Sequence, residues 1–408
     1  MSRIEELIRE KCPDGVDYRK LGSVCKLQNG FAFKSSSFGI GTSKVLKITN
    51  ISNDGKVSVD TMTTIDEFQY GKTNFEPYKV RYGDVVVALS GATTGKIGRN
   101  LSNEIFLLNQ RVAKFVPSEE VNMSYLYHFI SGKTAFLLGL SGGGAQPNLS
   151  TKSIEDIEIP VPPMEIQQEI VCILDKFTEL EAGLQAELDA RKKQFEYYKE
   201  KLISNAKYAE IKTIKQIATD IYRGAGIKRD EITQTGIPCV RYGEIYTSYN
   251  ITFKKCISFT KEDIVVSPKY FEHGDILFAI TGESVEDIAK CIAYLGCEKC
   301  MCGGDIVVMK HNQEPRYISY ALSTYNAIIQ KGKGKVKSKV VHSSVPAIQK
   351  IQIPIPSIEE QSRIANKLDA FLDLIYDEEK GLPAEIEARH KQYEYYRDKL
   401  LTFKRKEV

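Results

Sequence analysis

Apolar positions fall into two patterns that alternate twice along the chain. From Ile166 onward they recur at helical spacing: Ile166, Ile170, Leu174, Phe177, Leu180, Leu184 and Leu188, with polar residues between them. Leu188, Phe195, Tyr198 and Leu202 then stand seven, three and four apart. This spacing predicts a long amphipathic helix whose seam requires a partner helix. The pattern returns near the end of the chain through Ile364, Leu368 and Phe371, then Ile386, Tyr393, Tyr396 and Leu400. Ahead of each helical stretch lie short runs rich in β-branched and aromatic residues, punctuated by Gly and Asn. Those runs predict strands.

The helical stretch is a literal repeat. IPVPPMEIQQEIVCILDKF from Ile159 and IPIPSIEEQSRIANKLDAF from Ile353 share nine of nineteen residues. ARKKQFEYYKEKL from Ala190 and ARHKQYEYYRDKL from Ala388 share nine of thirteen. The offset is 194 in the first pair and 198 in the second, so four residues enter the second copy between Leu374 and Gly381. An insertion of four is a stutter that keeps the apolar face roughly in phase. Gly381 and Pro383 predict a break or kink there. Pro160, Pro162 and Pro163 hold the chain extended ahead of the first copy. The nearest partner for each copy is the other.

The stretches between the repeats also correspond. Residues 1–11 predict a short amphipathic helix, and KLGSVCKLQNGFAF a helix or turn followed by a strand. VLKITNI, KVSVD, DVVVALSG and FLLNQRVAKFV read as strands, MSYLYHFISGKTAFLLGL (123–140) as helix, and SGGGAQPNLS as a loop. Residues 207–352 replay that order: IKTIKQI parallels YRKLGSV, HGDILFAITG parallels YGDVVVALSG, and Tyr317 to Gln330 parallels 123–136. The chain therefore divides into a globular region (1–158), a helical spacer (159–206), a second globular region (207–352) and a second spacer (353–408). A bipartite recognition protein has this form, and so does a duplicated scaffold.

Composition changes the picture little. With 408 residues, 42% hydrophobic and 27% charged, the chain has an ordinary soluble make-up and room for two or three domains. The sequence lacks an 18-residue apolar run, and MSRIEELIREKCPDG lacks the apolar core of a signal peptide, so no membrane association is expected. Nine irregularly spaced cysteines suggest reduced thiols and a cytoplasmic protein. A net charge of +3 means that any basic surface must be local.

The order CPDGVDYRKLG, GDVVVALSG, IPVPPMEIQQEIVCILDKF, RKKQFEYYKEKL resembles the specificity subunit of type I restriction–modification systems. GDILFAITGESVEDIAKCIAYLG followed by IPIPSIEEQ resembles a second target-recognition domain of that family. The resemblance spans essentially the whole chain. It implies an α+β fold of two β-rich target-recognition domains joined by two long helices packed as an antiparallel coiled coil, a pseudo-two-fold duplication. It further implies a noncatalytic subunit that reads a split double-stranded DNA site and docks two DNA methyltransferase subunits, with restriction/translocase subunits in the full complex. S-adenosylmethionine, ATP and Mg would then belong to the partner subunits, and this chain would hold no cofactor. Ser357 in place of Pro163 and the Gly381/Pro383 pair depart from the first copy. A helix of about 39 residues at ~1.5 Å per residue spans about 58 Å, enough to separate half-sites by one or more duplex turns.

Candidate DNA contacts differ between the halves. In the first they are Lys34, Ser90, Thr93, Thr94, Lys96 and Arg99, with Gln146 and Asn148 in the loop before the repeat. Gln and Asn pair with adenine in the major groove. In the second half they are Arg223, Lys228, Arg229, Arg241 and Tyr242, and the lysines of QKGKGKVKSKVV. If that stretch is extended, Lys331, Lys333, Lys335, Lys337 and Lys339 share one side, spaced like a phosphate track. Arg reads guanine or clamps phosphate. The charged RKK and EYY faces of the repeated helices are the expected subunit interface.

Enzyme-like signals fail on spacing. GATTGKIG has one residue too few for a phosphate loop and Ile97 where a magnesium-binding hydroxyl belongs. Cys291, Cys297, Cys300 and Cys302 contain one C-x2-C without a second pair, half of a zinc signal. No metal site and no catalytic residue is assigned.

Overall fold

The computed structural model describes residues 3–142, 147–261, 267–334 and 340–407. The chain folds as two compact units, Met1–Gln185 with Glu385–Val408, and Ala186–Ala384. These units cut across the four sequence segments. Each combines a globular region with half of the first spacer and one helix of the second.

In unit 1 the strands Cys25–Asn29, Val112–Pro117, Val85–Ala88 and Ile97–Arg99 lie side by side in that order, all antiparallel. A second sheet runs Thr63–Ile65, Ser43–Leu46, Phe106–Leu108, Lys79–Val80, with its central pair parallel. Unit 2 repeats both orders. Its first sheet is Ala218–Arg223, Ile306–His311, Ile276–Ala279, Cys291–Tyr294, with Thr252–Phe253 added at the edge. Its second is Ser258–Thr260, Ile237–Val240, Cys300–Cys302, Tyr270–Phe271, with Ile232–Thr233 added at the other end. The aligned runs GDVVVALSG and GDILFAITG supply equivalent central strands, Val85–Ala88 and Ile276–Ala279, buried on both faces. A strand covered on both sides tolerates an unbroken apolar run. KVSVD forms only isolated bridges, Ile51 with Val57 and Lys56 with Arg99.

The first spacer is one helix, Met164–Ser204. The second is two, Ile358–Tyr376 and Leu382–Leu400, separated at Asp377–Gly381. Gly381 is required there, because a Cβ would lie 2.6 to 2.9 Å from the carbonyl oxygens of Asp377, Asp373 and Leu374. Pro383 falls in the first turn of the last helix, where a missing N–H costs nothing. Ser357 starts the helix Ile358–Tyr376 by accepting a hydrogen bond from the Glu360 backbone, an N-cap that the first copy's Pro163 cannot make.

Both helix starts are locked the same way. Gln167 donates to the carbonyls of Glu120 and Pro162, and its oxygen accepts from Asn122 N. Gln361, 194 residues later, donates to Pro356 O and Gln313 and accepts from Glu314 N. Tyr125 Oη donates to Pro160 O in unit 1 and Tyr317 Oη to Pro354 O in unit 2.

The seam is aromatic in both units. Phe177 stacks on Tyr396 at 5.3 Å, and Glu181 meets His390 at 3.3 Å, so the two helices of unit 1 run antiparallel. In unit 2 the equivalent residues exchange roles, with Phe371 against Tyr198 at 5.7 Å. Ile170, Leu174, Ile364 and Leu368 are fully buried, Leu188, Phe195 and Tyr393 nearly so. Phe177, Leu202, Phe371, Ile386 and Leu400 are half-buried, while Tyr198 and Tyr396 are exposed at 40% each. Leu180, in the same periodic row, is exposed.

The end of the chain returns to its start within unit 1. Val16 N donates to Lys404 O, Lys406 N to Val16 O, and Arg405 pairs with Glu158. Among the described residues no helix is long and apolar enough to cross a membrane.

Candidate nucleic-acid interface

Unit 2 opens a cleft of about 800 Å³ at the ends of strands from both of its sheets. Four of the five second-half arginine, lysine and tyrosine candidates outside the lysine loop line it: Arg223, Arg229, Arg241 and Tyr242. Arg223 ends the strand Ala218–Arg223, and Arg241 sits between the strand Ile237–Val240 and the helix Tyr242–Thr247. Much of the wall is bare backbone, from Gly224, Gly226, Gly243, Gly303 and Gly304. Gly224 packs so closely that a Cβ would lie 2.2 Å from Gly303 O.

Each lining arginine is held differently. Arg223 donates from Nε to Gly304 O at 2.5 Å and from Nη2 to Asp305 at 2.7 Å. Arg241 donates from Nε and Nη2 to the same oxygen of Glu244, at 3.0 and 2.9 Å. Glu244 is buried and also accepts from Ser258 Oγ at 2.6 Å and from Arg241 N at 3.0 Å. Arg229 is exposed and its guanidinium has no partner among the described residues. Lys228 stands next to it, exposed, with Glu231 at 3.9 Å.

Unit 1 has a cleft of about 700 Å³ that takes in Lys96 and Arg99. Lys96 donates to Asn53 at 2.6 Å, and Arg99 donates to Ser124 at 2.7 Å with Asp175 4.0 Å away and the Tyr127 ring beside it. Asp54, Asp175, Glu181 and Glu394 share this lining with Lys56, His390 and Arg397. Its charges are largely paired with one another, which makes it a poor phosphate surface.

The remaining candidates scatter. Lys34 is exposed without a side-chain partner among the described residues, and Asn148 is exposed and bridged to Ser90. The hydroxyls of Ser90 and Thr93 are buried without a partner among the described residues. Thr94 is a correction: it is 3% exposed and donates to the carbonyls of Gly91 and Pro147, so it closes the Gly91–Gly95 turn and offers nothing to a ligand. Lys331 is another. It lies inside the helix Tyr325–Gly332 with its ammonium buried 3.7 Å from Cys291 Sγ, not on an extended track. Lys333 follows as the exposed C-cap, while Gln146, Lys335, Lys337 and Lys339 lie outside the described residues. Cys291, Cys300 and Cys302 are buried free thiols on strands, and Cys297 is exposed.

Two features escaped the sequence reading. Asp305 and Glu244, which set the arginines, are ordinary acids in the sequence, although Glu244 stands three residues after Arg241 and begins a helix with it. The second is a pair of aspartates aligned by the repeat. Asp175 binds His128 Nε2 at 2.8 Å, whose Nδ1 meets Tyr393 Oη at 2.9 Å. Asp369 accepts from Tyr320 Oη at 2.6 Å, and that ring packs on Phe195. Both also hold an arginine, from different elements: Arg99 in unit 1, Arg316 at 2.7 Å in unit 2.

Comparison with known proteins agrees with this duplicated layout. The family model described as type I restriction modification DNA specificity domain matches twice, over residues 13–190 and 206–388. A putative type I restriction enzyme specificity subunit of Haemophilus influenzae is 26% identical over 384 residues, 88% of this chain and 94% of that protein. A type I restriction enzyme specificity subunit of Escherichia coli is 32% identical over 315 residues, covering 74% and 77%. Among solved structures, a chain from work on complex assembly and conformational transition of the type I R-M system aligns with a TM-score of 0.63 at 13% identity, over 95% of this chain and 98% of that one. The type I restriction-modification S subunit of M. genitalium aligns at 0.50 with 16% identity, over 95% and 96%.

Proposed function

The chain belongs to the type I restriction–modification DNA specificity family, and from that premise we propose that it reads a bipartite, asymmetric double-stranded site, one half per globular region. It is a noncatalytic specificity subunit. The observation that carries DNA contact is the unit 2 cleft, where three arginines and a tyrosine meet over a glycine wall. Asymmetry of the site rests on two strand orders that match while the groups they present do not.

Two DNA methyltransferase subunits dock on the repeated helices, and through them restriction/translocase subunits. Tyr197 and Tyr395, equivalent at the offset of 198, are both exposed beside the seam and are the anchors expected of such a surface. S-adenosylmethionine, ATP and Mg act in those partners, in the cytoplasm and without a membrane.

The test is binding of the chain, assembled with its methyltransferase subunits, to duplexes carrying its methylated motif. Scrambling either half should weaken binding at least about tenfold, given ~1–3 kcal/mol per mismatched pair. Equal affinity for intact and scrambled duplexes would overturn the reading and leave a duplicated scaffold.

A further inference from the structure

The unit 2 cleft contains carboxylates as well as arginines, and this decides between phosphate and base. A phosphate entering beside Arg223 would bring its charge next to Asp305, and near Arg241 it would meet Glu244. A base edge carries no net charge and escapes that repulsion. Arg223 has five N–H groups, of which one on Nε and one on Nη2 are engaged. Both N–H groups of Nη1 and one of Nη2 remain, which is the two-nitrogen edge that meets guanine O6 and N7. Its side chain is 59% exposed, whereas Arg241 is 31% exposed and spends Nε and Nη2 on one buried carboxylate.

Resting on the DNA-recognition reading above, we propose that this cleft is a base-reading subsite in which Arg223 reads a guanine. Asp305 and Gly304 O are the groups that position it: they fix the guanidinium plane before DNA arrives, so little ordering is left to do on binding. Arg229, without a carboxylate partner among the described residues, neutralises a phosphate at the rim. Arg241 and Glu244 form the fixed wall.

The experiment uses the full chain with its methyltransferase subunits and duplexes of its motif in which each guanine is replaced singly by 7-deazaguanine, which lacks the N7 acceptor. One guanine in the half-site read by residues 207–352 should be sensitive for the wild type, with affinity falling roughly 5- to 150-fold. In Arg223→Met, which keeps an unbranched stem but has no donor, the same replacement should cost less than about twofold, a lost coupling that misfolding does not imitate. Asp305→Asn should reduce the guanine preference while leaving binding to a scrambled second half-site unchanged. Arg229→Ala should weaken all duplexes alike and lower the salt slope by about one. Full 7-deaza sensitivity retained in Arg223→Met, or a second half-site insensitive to every replacement, would overturn the proposal. If the wild type fails to distinguish motif from scrambled duplex at all, the specificity reading itself fails.

Discussion

His311, at the end of the strand Ile306–His311, is held neutral by its surroundings. Burial pushes its pKa down to about 4. Nδ1 accepts from Gln313 N at 3.0 Å, and Nε2 is buried without a partner among the described residues. The unfolded chain therefore binds a proton that the folded one refuses between about pH 6.5 and 4, and stability falls as pH drops through that window. Loss on the order of 3 kcal/mol is expected by pH 4 from this residue. Urea unfolding at pH 7 and pH 4.5 should show a smaller drop for His311→Gln than for the wild type; parallel drops would contradict the assignment. Lys331 is the reverse case of a buried cation. Burial lowers its pKa, outweighing Cys291, and no carboxylate faces it among the described residues. Lys331→Met keeps the stem, removes the charge, and should raise the unfolding midpoint at neutral pH, a gain of about 1 kcal/mol or more in unfolding free energy. A lowered midpoint would mean that the amine is satisfied. Alternation alone makes Lys331 look like a member of a lysine track. Thr324, capping through its hydroxyl to Ala327 N, starts a helix that carries Lys331 inward instead.

At the scale of elements, the repeated helices carry most of what the sequence made legible. A 3.6-residue period says which face is apolar, and the mirrored pairs Phe177–Tyr396 and Phe371–Tyr198 lie on that face. Leu174→Ala and Leu368→Ala should each cost about 2–5 kcal/mol in denaturant unfolding, since both side chains are fully buried. Leu180→Ala, at an exposed position of the same row, should stay within about 0.5 kcal/mol. Similar costs at all three would contradict the seam. The helix break was legible because Gly381 and Pro383 are punctuation in any context. The strand expected at KVSVD reduces to bridges, since β-branched alternation reports a preference for extended backbone and says nothing of whether a neighbouring strand offers a full ladder.

For the whole molecule, duplication was visible in the sequence but strand order was not. Periodicity fixes a strand's faces, while its neighbours depend on contacts distant in sequence, such as Val45 beside Leu107 or Cys239 beside Met301. The same limit applied to the cleft. Arginines could be picked by type, yet the sequence could not join Arg223 to Asp305, 82 residues away. Asp175 and Asp369 show how the duplicated frame tolerates divergence: one anchor position keeps its arginine although the arginine comes from a strand in one unit and a helix in the other.

The central claim is that this chain alone sets which DNA is methylated. Methylome sequencing of cells carrying the chain with its methyltransferase subunits, compared with cells lacking only the chain, tests it most directly. The account predicts a split motif with a fixed spacer that is absent without the chain, and replacement of residues 1–158 by another family member's should alter one half and spare the other. Methylation at the same sites with and without the chain would contradict it.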